Sequence, residues 1–299
     1  MYKLQKVQPG GFWLVLSAAI LWGTIGVATQ AIYNLDTTTS LFINLGRLLI
    51  ASPVLFAASW RVVGPRMFNI RRRDRLIMLL TGLFLAVSQA TYFAAIRYAG
   101  VTIATLLTIC IAPVTVVGLS VLLNMEKLTG RLIVALLCAV IGSILLVGLQ
   151  SPQDKSEHFS LGILFSIIAA MTYACMIVCG RFLAADYHPL QVTALTFSIG
   201  ALFLLLINFA SGIVAVHTTQ GWLLILYLGL IPTALAYWLF QSGLRTVSAT
   251  TASIVSMLDP LVAAGLAWVL FGERLAALGL AGAILLILSV TLLSPAKKE

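Results

Sequence analysis

Apolar residues in this chain run together in blocks of about twenty, set apart by short polar punctuation. The blocks lie near residues 12–32, 38–60, 76–97, 101–123, 131–150, 160–181, 189–212, 221–242, 248–271 and 276–294. A helix of about 20 apolar residues crosses a hydrocarbon core of about 30 Å. Lipid offers no partner for backbone N–H and C=O groups, so each block is predicted to be helical. The pattern predicts an all-α integral membrane protein with ten transmembrane helices. The first block, from Phe12 to about Ile32, follows Lys3 and Lys6 as a signal peptide would. It is longer than an apolar signal region of about 7–15 residues and lacks a small-x-small cleavage site, so it is read as the first span.

Composition fits this picture. Hydrophobic residues make up 61% of the chain and charged residues 9%, against about 25% charged in soluble domains. The connections are short and leave no room for a soluble domain. The lipid bilayer is therefore the solvent for most of the surface.

The net charge of +9 would suggest nucleic acid in a soluble protein. Here the basic residues sit between spans. With the N-terminus inside, the inner segments hold Lys3, Lys6, Arg61, Arg66, Arg71, Arg72, Arg73, Arg75, Lys127, Arg131, Arg181, Arg245, Lys297 and Lys298. The outer segments hold Arg97, Lys155 and Arg274, while Arg47 lies within a span. The positive-inside rule then places both termini in the cytoplasm of a multi-pass plasma-membrane protein, the inner membrane in a bacterium. Nucleic-acid binding is not expected. The Arg61–Arg75 cluster also suits lipid headgroups. Trp60, Trp222 and Tyr227 lie near span ends, as an aromatic belt would place them.

An internal repeat divides the chain. Residues 112–128 read APVTVVGLSVLLNMEKL and residues 259–275 read DPLVAAGLAWVLFGERL. Pro113 matches Pro260, Gly118 matches Gly265, and Glu126-Lys127-Leu128 matches Glu273-Arg274-Leu275, all at one ungapped offset. Trp22 falls near Tyr173 in the same scheme. The halves are 1–150 (spans one to five) and 151–299 (spans six to ten). Five is odd, so the second half is inverted in the membrane, a signature of secondary transporters.

These features resemble the drug/metabolite transporter superfamily, EamA-type, over nearly the whole chain. The residues that carry the resemblance are Trp22-Gly23, Arg47 and the two proline-to-"E-K/R-L" blocks. Within the superfamily the chain is most similar to the YddG-type exporters of aromatic and other amino acids. The resemblance implies two inverted five-helix halves around a central cavity through which small organic solutes move. Arg47 has no basic counterpart in the second half, and Asp259 stands where the first half has Ala112.

Three groups of residues carry candidate chemistry. Pro113 and Pro260 each free a backbone carbonyl four residues earlier, as a hinge, as part of a cavity lining or as a static kink. Asp259 and Arg47 lie within spans, where an unpaired charge costs about 2.5–3.5 kcal/mol on the translocon scale. Asp259 is read as a proton-coupling group, a structural group that pairs with Arg47 or caps backbone, or a substrate contact, and the sequence leaves these open. The third group is Trp22, Ser88, Gln89, Tyr92, Tyr173, Tyr237, Trp238 and Gln241. Polar side chains at such depth face the bundle interior, lining a substrate cavity or joining helices. Stacking surfaces with a few hydrogen bonds suit aromatic or zwitterionic solutes.

Small residues, including Ala104, Thr108, Ala112, Gly118, Gly279 and Gly282, are assigned to helix packing. Cys110, Cys138, Cys175 and Cys179 lie in apolar stretches and read as buried packing residues. No phosphate-binding loop or HExxH spacing occurs, and His158, His188 and His217 are scattered in loops, so neither an enzyme nor a cofactor or metal is expected. The sequence thus predicts a secondary transporter that exports aromatic and other neutral amino acids, protons being a possible coupled ion. The alternatives are a multidrug, quaternary-amine or other small-metabolite exporter, or a receptor or assembly subunit without flux. A monomer and a homodimer are equally compatible with it.

Overall fold

A computed structural model describes residues 9–148, 159–211, 218–271 and 276–295. Among them the regular structure is entirely helical. The elements are α1 (Pro9–Leu35), α2 (Ser40–Val63), α3 (Arg72–Ala99), α4 (Val101–Leu122), α5 (Gly130–Val147) and α6 (Phe159–Leu183). They continue with α7 (Pro189–Ser211), α8 (Thr219–Leu228), α9 (Ala236–Gly243), α10 (Ala249–Ser256), α11 (Asp259–Phe271) and α12 (Ala277–Leu293). A short 3₁₀ turn, Gly64–Phe68, follows α2. Lys3, Lys6, Lys155, His158, His217, Glu273, Arg274, Leu275, Lys297 and Lys298 lie outside the described residues.

The helix ends follow local chemistry. Thr39, Thr129, Thr218 and Ser248 cap α2, α5, α8 and α10, each side chain accepting from a backbone N–H in the first turn. Gly64, Gly100 and Gly148 close α2, α3 and α5 with φ of 65°, 82° and 79°, values that favour glycine.

Nine helical stretches among the described residues are long and apolar enough to cross a membrane. The apolar α12, with 17 residues, is shorter. Leu122, Leu206, Phe209, Val269 and Leu278 are each more than half exposed, which lipid rather than water makes favourable. Trp60 and Trp222 are exposed near helix ends, whereas Tyr227 turns inward and donates to Thr24 Oγ1 at 2.9 Å.

Two of the predicted spans are not uniform helices. In Thr219–Gly243, α8 and α9 are joined by a π-helical turn, Gly229–Leu235, around Pro232. Proline leaves the Leu228 carbonyl without its helical donor, and the Thr233 hydroxyl supplies one at 2.7 Å. In Ala249–Leu270 the helix breaks at Met257-Leu258 and restarts at Asp259-Pro260. An acidic residue and a proline in the first turn are what a helix start favours.

The helix contacts recur in similar pairs. α3 packs on α6 as α8 and α9 pack on α1, and α4 packs on α6 as α10 and α11 pack on α1. α3 packs on α7 as the π-helical turn packs on α2, while α2 meets α7 and α5 meets α12 directly. The closest approaches recur in matching places. A Cβ on Gly82 would lie 2.6 Å from Ile199 and 3.0 Å from the Thr196 carbonyl; one on Gly229 would lie 2.6 Å from Ile50 and 3.2 Å from the Arg47 carbonyl. Gly162 meets Ala99 as Gly11 meets Thr246. By contrast, nothing lies within 4 Å of a Cβ at Gly118 or Gly265. The packing role expected of Gly118 therefore passes to these other glycines, while Gly282 meets α5 directly.

Candidate substrate cavity

A cavity of about 600 Å³ opens among the helices, within the range of about 300–1,000 Å³ typical of small-molecule sites. Its inner end is formed by Trp22, Arg47, Pro113, Tyr173 and Asp259, residues from the middle of their helices or, for Asp259, from the helix break. It runs from there past Thr29, Gln30 and Phe93 to Tyr33, Ser40, Ile96 and Val101, at the α1–α2 and α3–α4 connections. Toward the opposite face the helices close. The cavity there is only about 30 Å³ and is lined by the buried side chains of Thr196, Phe197, Phe240, Gln241 and Leu244, with Tyr237 beside them.

Most of the predicted residues meet in the large cavity, namely Trp22, Arg47, Ser88, Gln89, Tyr92, Pro113, Tyr173, Asp259 and Pro260. Trp22 is buried and packs on Tyr237 and Phe240, with ring centroids 4.9 and 5.1 Å away. The Tyr92 hydroxyl shares a 2.6 Å hydrogen bond with Thr105 Oγ1. Ser88 donates to the Ala169 carbonyl at 3.0 Å and so also ties α3 to α6. The Gln89 carboxamide makes no hydrogen bond among the described residues and is available to a solute.

Tyr237, Trp238 and Gln241 do not line this cavity. Tyr237 stands behind Trp22 and meets Phe197 edge-on at 4.7 Å. Trp238 packs half-buried against the core. Gln241 Nε2 donates to the Gly180 carbonyl at 2.8 Å, joining α9 to α6 on the closed side. Their helix is interrupted by the π turn, and among the described residues the large cavity reaches the other face, not theirs.

Arg47 is buried on α2, and its Nε donates to Asn44 Oδ1 at 2.7 Å. Asp259 faces the same cavity from the first turn of α11. The two charges act on each other across the gap, yet they form no ion pair within 4.0 Å; the ion pair found among the described residues is Arg71–Asp186 at 3.6 Å. Direct Asp259–Arg47 pairing, one of the structural expectations, is therefore absent from this conformation. The sequence reading missed Asn44, although its place one turn before Arg47 was a usable signal. It also missed Thr29, Gln30 and Thr108 along the wall.

The prolines serve the cavity as well. Pro113 and Pro260 line it, and so does Ile109, whose carbonyl loses its helical donor to Pro113; Pro260 instead stands in the first turn of α11, beside the helix break. Irregular backbone at this depth is tolerated where it faces a cavity.

A bundle of apolar helices around a deep cavity, mainly apolar with a few polar and charged groups, fits a membrane solute carrier. The chain belongs to the EamA-like transporter family, whose model matches residues 9–148 and again 160–294. It is 30% identical over 286 residues to YicL, an uncharacterized inner membrane transporter of Salmonella typhimurium, covering 94% of this chain and 93% of that one. It is 24% identical to the pseudopaline exporter CntI of Pseudomonas aeruginosa, covering 74% of this chain and 76% of that one. It is also 24% identical to the riboflavin transporter ImpX of Fusobacterium nucleatum, over 95% and 97% of the two chains. A solved crystal structure shares the fold with a TM-score of 0.82 at 18% identity, covering 94% of this chain and 95% of that one. The protein is thus a multi-pass membrane transporter.

Proposed function

We propose that this transporter exports aromatic and other neutral amino acids from the cytoplasm by alternating access between two inverted halves, 1–150 and 151–299. The observation that carries the reading is the cavity. It is large enough for such solutes, reaches the middle of the bundle, and is open at one end while packed shut at the other. Trp22, Tyr92, Phe93 and Tyr173 provide stacking surfaces, and Asn44 and Gln89 provide amides. One cation and one anion share the space, a balance that suits a zwitterion better than a polyhydroxylated sugar or a simple ion.

The two-part family match and the repeated packing support inverted halves. Under that repeat, Gly180 and Arg181 on the closed side, bonded to Gln241 and Leu244, correspond to Thr29 and Gln30 on the open side. The closed set is bonded, while the open set lines the cavity. Exchange of these two arrangements is alternating access in its simplest form. The distribution of Lys and Arg assigns the open end to the outside. Asp259 is the candidate for proton coupling, and Pro113 and Pro260 are the candidate hinges.

Flux of radiolabelled amino acids into proteoliposomes tests the reading. Saturable movement of phenylalanine or another neutral amino acid is expected. An imposed pH gradient that raises accumulation in wild type but not in Asp259→Asn supports coupling; equilibration alone makes the protein a facilitator. Aromatic walls around a carboxylate also suit quaternary amines through cation–π contacts, although Arg47 in the same cavity opposes them. Flux of such amines without amino acids replaces the proposal. Absence of any saturable flux in folded protein points to a receptor or assembly subunit.

A further inference from the structure

Resting on the assignment of amino acids as substrates, we propose a division of labour within the cavity. Arg47, held by Asn44, takes the substrate carboxylate; Asp259 takes the ammonium; the zwitterion thereby bridges the first half to the second. The inference starts from an electrostatic oddity. Two opposite charges within a membrane-spanning bundle ordinarily satisfy one another, because an unpaired charge at that depth is expensive. Here both line one cavity and no ion pair joins them.

Each charge is nevertheless prepared for a partner. The Asn44 carboxamide oxygen accepts from Arg47 Nε at 2.7 Å and fixes the plane of the guanidinium. The terminal nitrogens then match a carboxylate, which guanidinium binds through paired N–H donors. Asp259 makes no hydrogen bond or ion pair among the described residues. It sits where α11 restarts, at the positive end of a helix inside the bundle. A simple anion complements Arg47 alone, and a simple amine complements Asp259 alone. A solute with both charges close together complements the pair, and Trp22, Tyr92 and Tyr173 are at hand for its side chain.

The placement has a mechanical consequence. Arg47 stands on α2 and Asp259 at the start of α11, so the bound head group ties these two helices together across the cavity. A solute with one charge engages one of them only.

Competition against radiolabelled phenylalanine flux in proteoliposomes tests this, with N-acetylphenylalanine (no ammonium), phenylalaninamide (no carboxylate) and phenethylamine as competitors. Wild type is expected to prefer unlabelled phenylalanine over each analogue by about tenfold or more, the scale of a lost charged hydrogen bond. Arg47→Gln should lose its discrimination against phenylalaninamide while still rejecting N-acetylphenylalanine, and Asp259→Asn should do the reverse. That crossed pattern is one a folding defect cannot produce. If either variant transports too slowly to measure, Arg47→Lys and Asp259→Glu provide the same comparison with charge retained and the wild-type preference expected to survive. Phenylalanine flux that all analogues inhibit equally, or variants that relax toward every analogue alike, overturn the division of labour and leave amino-acid transport standing. No flux or competition by any amino acid in folded protein overturns both.

Discussion

Replacing Gln241 by leucine and Arg181 by glutamine together is expected to move the protein toward the state open at the face now closed. Gln241 ties α9 to the Gly180 carbonyl at 2.8 Å, and Arg181 Nη1 donates to the Leu244 carbonyl at 2.6 Å and to the Arg245 carbonyl at 3.3 Å. A neutral hydrogen bond contributes about 0.5–1.5 kcal/mol and one from a charged group about 1.5–3. Losing both removes roughly 2–4 kcal/mol from the closed face. Each 1.4 kcal/mol is about tenfold in an equilibrium, so a minor state below one per cent becomes readily populated. Thr196 lines the closed side and Thr29 the open side. In a background with Cys110, Cys138, Cys175 and Cys179 changed to alanine, Thr29→Cys should react with an impermeant thiol reagent and Thr196→Cys should not. Adding the two latch substitutions should raise labelling of Thr196→Cys by about tenfold or more and lower that of Thr29→Cys. Unchanged labelling at both positions would show that these bonds do not hold the closed face.

The latch also explains why part of the site was hidden from the sequence. Helix phase places Tyr237 and Gln241 toward the bundle interior, and so they lie. Which interior positions meet solvent depends on which end of the bundle is open, a choice between two arrangements of the same contacts. Trp22, Tyr92 and Tyr173 were legible because they sit on the open side or at the centre. The spans were legible for a stronger reason, since lipid allows a backbone no alternative to the helix. The break before Asp259 is a different case. Asp-Pro is a helix-start signal, and it was written in the sequence inside an otherwise continuous apolar run. The glycine contacts escaped because the halves do not align at one spacing throughout. Gly82 and Gly229 keep the spacing of Pro113 and Pro260, whereas their partners Ile199 and Ile50 do not.

The largest effect on folding is expected on the face of α5 and α12, well away from the transport chemistry. A Cβ on Gly282 would lie 2.5 Å from the Gly142 carbonyl oxygen and 2.6 Å from the Leu146 nitrogen, and one on Gly142 would lie 2.9 Å from the Gly282 carbonyl. These are backbone atoms, so no rotamer change relieves the clash and the two helices must separate. Lipid tails are as apolar as leucine, which leaves van der Waals contact and interhelical bonds to hold such a pair. Here the bonds include those from the Arg131 guanidinium to the Leu292 carbonyl and, at 3.1 Å, to that of Ser294. Gly282→Ala should therefore destabilise by about 1–3 kcal/mol, the usual scale of overpacking, and Gly282→Leu should abolish the monodisperse folded species in detergent. Gly118→Ala, by comparison, adds a methyl group where nothing lies within 4 Å and removes a poor helix former, so thermal unfolding should shift little or upward. Because α12 contributes none of the lining residues, the Gly282→Ala protein that does fold should transport with unchanged KM. A raised KM at normal stability would mean that the α5–α12 contact shapes the cavity rather than merely holding the bundle together.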